Sequence, residues 1–109
     1  MHTISVVEVN ERLAKGELLN LVDVREPSEH TEFNIGGILV PLGKIRQMQV
    51  DELEDLKNEE LILHCRSGAR SMQAGMMLEQ MGFTNVKNVV GGALAWKEKF
   101  GDEKLQGTA

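Results

Sequence analysis

The sequence predicts an α/β fold with a mainly parallel sheet. Three observations carry this. Apolar runs of strand length alternate with helical patterns, the helical stretches fall where crossovers between parallel strands belong, and glycines mark the joints. The first helix opens at Ser5-Val6-Val7-Glu8, which has the form of a capping box, and Val6, Val9 and Leu13 continue it at helical spacing as far as Gly16. Leu18 to Val24 reads as a strand. Residues 26–34 carry a short helix with Pro27 near its first turn, and Gly36-Gly37 breaks it. Ile38-Leu39-Val40 is a short buried strand, and Pro41 to about Lys57 holds one or two short helices. Glu60 to His64 is a strong strand, followed by a helix from Ala69 to Met81 closed by Gly82. Val86 to Val90 is a further strand, Gly91-Gly92 turns the chain, and Ala93 to Phe100 is the last helix.

Size and charge narrow the function. The 109 residues are one domain's worth, expected at 1–100 with a polar C-terminal tail at 101–109. The net charge is −5, and residues 51–60, with six acids and one lysine, account for all of it. That stretch reads as a solvated face. An acidic chain without a basic stripe is a poor nucleic-acid binder, and no apolar run approaches the length of a membrane span. The N-terminus shows no secretory pattern, which points to the cytoplasm. The single cysteine, Cys65, has no partner for an internal disulfide or a paired-cysteine zinc site, so it is expected to act as a thiol.

The chemistry concentrates in His64-Cys65-Arg66-Ser67-Gly68-Ala69-Arg70-Ser71, where a buried strand passes into a helix. Ligands in open parallel sheets gather beyond the carboxyl ends of the strands. A cysteine there heads a loop whose amides can converge, with the positive end of a helix dipole behind them, and Arg66 and Arg70 add charge. These features favour a nucleophilic thiolate and also form a cradle for a tetrahedral oxyanion, while Gly68 frees the backbone to turn.

This loop resembles the active-site loop of the rhodanese-like sulfurtransferases. Three other segments agree in order: Leu21-Val22-Asp23-Val24-Arg25-Glu26-Pro27, Asn34-Ile35-Gly36-Gly37-Ile38, and Val90-Gly91-Gly92-Ala93-Leu94-Ala95-Trp96. The resemblance runs from about Ile4 to Phe100. It implies a rhodanese-like fold, a central five-stranded sheet with helices on both faces. It also implies a thiosulfate sulfurtransferase in which Cys65 holds a persulfide. Arg66, Ser67, Gly68, Ala69 and Arg70 would bind the persulfide and the donor anion, without metal or organic cofactor. The implied partners are a small sulfur donor such as thiosulfate and a thiophilic acceptor: cyanide in assay, a thiol or sulfur-relay protein in cells. Asn34 and Gly36 stand where the family usually has His and Pro, a change expected to affect only the turn.

Two other functions fit the pattern less well. Related phosphatases and arsenate reductases have one more residue between Cys and Arg than the four here, and the tighter loop suits sulfur better than phosphate. A non-catalytic interaction module is the other alternative, which the presence of Cys65 and its arginines disfavours. Asp23 and Arg25 are expected to form a structural ion pair. His64 faces away from Cys65 as a hydrogen-bonded strand residue, and Ser67 and Ser71 are candidate hydroxyl donors or helix caps. Met72, Met76, Met77 and Met81 are expected to form a core face of their helix, and Trp96 to pack the last helix on the sheet.

Overall fold

A computed structural model describes residues 1–101. Five strands, β1 (His2–Ile4), β2 (Asn20–Asp23), β3 (Ile38–Leu39), β4 (Glu60–His64) and β5 (Asn85–Val89), form one parallel sheet in the order β1-β5-β4-β2-β3. The helices are α1 (Val6–Ala14), α2 (Pro27–Glu32), α3 (Leu42–Arg46), α4 (Ala69–Gln80) and α5 (Gly92–Phe100), with a 3-10 helix at Asp51–Leu56. The α/β expectation holds. The tail expected at 101–109 lies, beyond Gly101, outside the described residues.

The pleat of β4 sorts the core. Leu61, Leu63 and then Cys65 join the cluster containing Leu53, Ala74, Leu78 and Phe83, under α3 and α4. Ile62, one residue out of phase, joins Ile4, Val9, Phe33 and Trp96 under α1 and α5. All three apolar β4 residues are fully buried, so truncating any to alanine costs about 2–5 kcal/mol. β4 is therefore a rigid central strand, and the chain leaving its carboxyl end is held accurately.

Local chemistry sets the element ends. Ser5 Oγ accepts the Glu8 amide at 3.0 Å and starts α1. Asn34 Oδ1 accepts the Gly36 amide and its Nδ2 donates to the His30 carbonyl, so the turn before β3 is shaped by Asn34. At Gly37, with φ +86°, a Cβ would lie 2.1 Å from the Leu21 carbonyl oxygen, which explains the second glycine of that turn.

Three expectations need correction. The strand expected to be buried at Ile38-Leu39-Val40 is an edge strand with Ile38 exposed and Leu39 half-buried, while β1, which hydropathy does not mark, is made a strand by pairing with β5. The methionines of α4 do not form one core face. Ser71, Ala74, Gly75 and Leu78 fill the buried stripe, which leaves Met77 and Met81 packed at its margin and turns Met72 and Met76 to solvent. His64 is fully buried as a strand residue, but neither ring nitrogen has a hydrogen-bond partner among the described residues. Trp96 is buried beneath α5 as expected and stacks obliquely on Phe100. The acidic residues of the 51–60 stretch lie exposed or half-buried around its buried anchor, Leu53.

Candidate active site

Cys65 is the first residue beyond β4 and is only 1% exposed. The chain then turns through Arg66, Ser67, Gly68 and Ala69 into α4. Gly68, at φ +108°, adopts the left-handed conformation that caps the helix, a geometry costly to any residue with a Cβ. This turn points the start of α4 at the sulfur. Sγ accepts the Gly68 amide at 3.0 Å, the Ser71 amide at 3.4 Å and the Ser71 hydroxyl at 3.5 Å. Burial pushes the Cys65 thiol up, but the Ser71 hydroxyl and the amides of Ser71, Gly68 and Ser67 outweigh it and hold the thiol below its ordinary value. Hydrogen bonds at a helix N-terminus are thus the leading source of the lowering, ahead of the arginine charges invoked from sequence.

The loop is braced from two directions. Asn88, buried on β5, donates through Nδ2 to the Gly68 carbonyl at 3.2 Å and accepts the Ser71 hydroxyl on Oδ1. From α5, the Ala93 amide donates to the Cys65 carbonyl at 2.8 Å and the Leu94 amide to the Arg66 carbonyl at 2.9 Å. The close approach requires glycine: a Cβ on Gly92 would lie 2.3 Å from the Cys65 carbonyl oxygen. The Gly91-Gly92-Ala93 segment is therefore a clamp on the loop.

The candidate residues divide by position. Gly68 is buried and Arg70 half-buried, whereas Arg66, Ser67 and Ala69 are exposed on the outer rim of the loop. Of the two serines, Ser71 brings its hydroxyl to the thiol. Arg70 donates through both terminal nitrogens to Glu29 of α2, at 2.8 and 2.9 Å. Arg66 lines a cleft of about 100 Å³ together with Arg25, Glu29, Glu32, Phe33, Ala93, Leu94 and Lys97. Asp23 and Arg25 form the expected buried ion pair, bidentate at 2.9 and 2.8 Å, and Asp23 also holds His30 Nδ1 at 2.8 Å. Glu29, Asn88 and His30 were not picked out from sequence. Asn88 alone left a signal there: it shares the inward face of β5 with Val86, where a polar side chain needs a partner. No group of side chains suited to a metal ion occurs among the described residues.

Residues 5–99, from the start of α1 into α5, match the rhodanese-like domain. The chain belongs to the rhodanese-like family. A protein of Allochromatium vinosum named sulfurtransferase is 36% identical over 88 residues, covering 81% of this chain and 80% of that one. The human thiosulfate:glutathione sulfurtransferase is 29% identical over 109 residues, covering 89% and 94%. Among solved structures, a rhodanese-like domain protein from Staphylococcus aureus superposes with a TM-score of 0.75 at 32% identity, covering 88% of this chain and 91% of that one. In this rhodanese-like domain the fold sets Cys65 just beyond the central strand β4.

Proposed function

We propose that the protein is a sulfurtransferase that carries sulfane sulfur as a persulfide on Cys65, with thiosulfate or a related small anion as donor. The observation that carries this reading is the set of donors on Cys65 Sγ: two amides and a hydroxyl at the start of α4 favour the thiolate while the side chain is buried. The thiolate attacks the outer sulfur of thiosulfate. The sulfur–sulfur bond of the donor breaks, its electron pair leaves with sulfite, and Cys65 keeps the sulfur as a persulfide anion. The loop amides that hold the thiolate then hold the persulfide charge, and Arg66, with Arg70 once it shares or releases Glu29, supplies charge for the departing oxyanion. A thiophilic acceptor, either cyanide, a small thiol or a sulfur-accepting protein, attacks the outer sulfur and restores the thiolate. These steps need no metal or organic cofactor.

Supporting the reading are the family membership, the sulfurtransferase names of relatives and the short loop, with four residues between Cys65 and Arg70. A lone thiol working in its reduced state suits the cytoplasm. The test is intact mass after incubation with thiosulfate, for the wild type and Cys65→Ser. A gain of one sulfur on the wild type alone, removed by cyanide as thiocyanate forms, is the expected result. No gain together with a thiol inert to alkylation would transfer the case to a non-catalytic binding module. Phosphate-ester hydrolysis lost in Cys65→Ser would instead indicate a phosphatase.

A further inference from the structure

Arg70 already has an anion. Its Nη1 and Nη2 meet the two carboxylate oxygens of Glu29 at 2.8 and 2.9 Å, the bidentate geometry that a sulfonate would also seek. Glu29 is fixed independently, because its Oε1 accepts the Glu26 amide at 3.0 Å in the capping box that starts α2. The carboxylate is therefore held at the cleft by its own helix. Arg70 keeps its carboxyl down at about 2, so it is ionised throughout any working pH.

The rest of the cleft lining is mixed in charge. Asp23 occupies Arg25, and Glu32 contributes a further carboxylate to the lining. Of the lining cations, Arg66 and Lys97 alone lack a carboxylate partner among the described residues. Thiosulfate brings two negative charges and leaves as sulfite, whose charge is spread over three oxygens. To use Arg70 it must displace or share Glu29. A persulfide donor makes a smaller demand. Cys65 attacks its terminal sulfur, the donor's sulfur–sulfur bond breaks, and the electron pair departs on a single thiolate sulfur.

We propose that Glu29 is a specificity-determining residue: by holding Arg70 it disfavours dianionic sulfonate donors and turns the site toward donors that deliver sulfur from a thiol persulfide. This rests on the sulfurtransferase reading. Glu29→Gln is nearly isosteric and keeps an oxygen for the Glu26 amide, so it removes the charge with little disturbance of α2.

The experiment compares sulfur loading of wild type and Glu29→Gln from thiosulfate and from the hydropersulfide of mercaptoethanol. The ratio of kcat/KM values, thiosulfate over persulfide, is expected to rise about tenfold in the variant, chiefly through a lower KM for thiosulfate. If both donors change in parallel, Glu29 is merely structural and the proposal is overturned. A second readout is independent of turnover: thiosulfate titrated calorimetrically into Cys65→Ser and into Cys65→Ser with Glu29→Gln. The double variant should bind about tenfold more tightly; equal or weaker binding overturns the proposal. If the wild type accepts sulfur from neither donor, the sulfurtransferase reading fails, and this titration still decides the role of Glu29.

Discussion

Ser71 reaches Cys65 twice, through its amide at 3.4 Å and its hydroxyl at 3.5 Å. The hydroxyl has one proton and three acceptors in reach: Cys65 Sγ, the Gly68 carbonyl and Asn88 Oδ1. Which acceptor receives it depends on charge. A neutral thiol is a weak acceptor and leaves the proton to Asn88, whereas a thiolate or persulfide draws it. Ser71 thus responds to the ionised states of Cys65 and favours them over the thiol.

Ser71→Ala is expected to slow alkylation of Cys65 by iodoacetamide at pH 7 about tenfold, the worth of a hydrogen bond to a charged group. The sign follows from the lowered thiol: losing a donor to the thiolate moves the titration upward, so less thiolate is present at neutral pH. At alkaline pH both proteins are fully ionised and the rates should converge. A rate–pH profile identical to the wild type would remove the hydroxyl from the account.

Gly92→Ala tests the clamp. The added Cβ would meet the Cys65 carbonyl oxygen at 2.3 Å and the Arg66 carbonyl at 2.9 Å, so α5 must retreat from the loop. Urea unfolding is expected to show a loss of about 1–3 kcal/mol, with slower sulfur loading. Gly43→Ala provides the contrast: it lies within α3 with nothing inside 4 Å of the new methyl, and should stabilise by about 0.5–1 kcal/mol. Equal effects from the two would mean that the contact at Gly92 is not tight.

The nucleophile and its turn were legible because they are local. Cys65, Gly68 and the following helix are consecutive, and a strand entering a helix fixes where their amides point. The residues that complete the site come from separate elements. Glu29 reaches Arg70 across 41 positions of sequence, and Asn88 reaches Gly68 across 20, pairings that no periodicity encodes. His30 is likewise placed on Asp23 only by the turn of α2. The same limit explains β1, whose strand character comes from its neighbour β5 and not from its own hydropathy.

The two cationic partners of acidic residues at opposite ends of the molecule separate local charge from general charge. Arg70→Ala strands Glu29 beside the cleft and removes a guanidinium near Cys65, and should cut loading from thiosulfate tenfold or more, roughly one charged hydrogen bond. Lys87→Ala removes a cation from Glu60, which keeps its bidentate Arg12, and should load at close to the wild-type rate. Equal losses in the two variants, measured as initial rates of persulfide formation, would place the anion site elsewhere.

His64 sets the last expectation, for stability against pH. Burial pushes its pKa down to about 4 from 6.5, with the Asp23 charge opposing and the Arg25 charge assisting. Between those values the unfolded chain binds a proton that the folded protein refuses, so stability falls as pH is lowered through this window. Above pH 6.5 the contribution of His64 is constant. The slope for one such group approaches about 1.4 kcal/mol per pH unit. His64→Leu, which also removes two unpartnered buried nitrogens, should unfold at similar or higher urea concentration at pH 7 and hold that value to pH 5, while the wild type weakens. Parallel losses in both proteins from pH 7 to 5 would assign the acid sensitivity to other groups and show that His64 accepts its proton in the folded state.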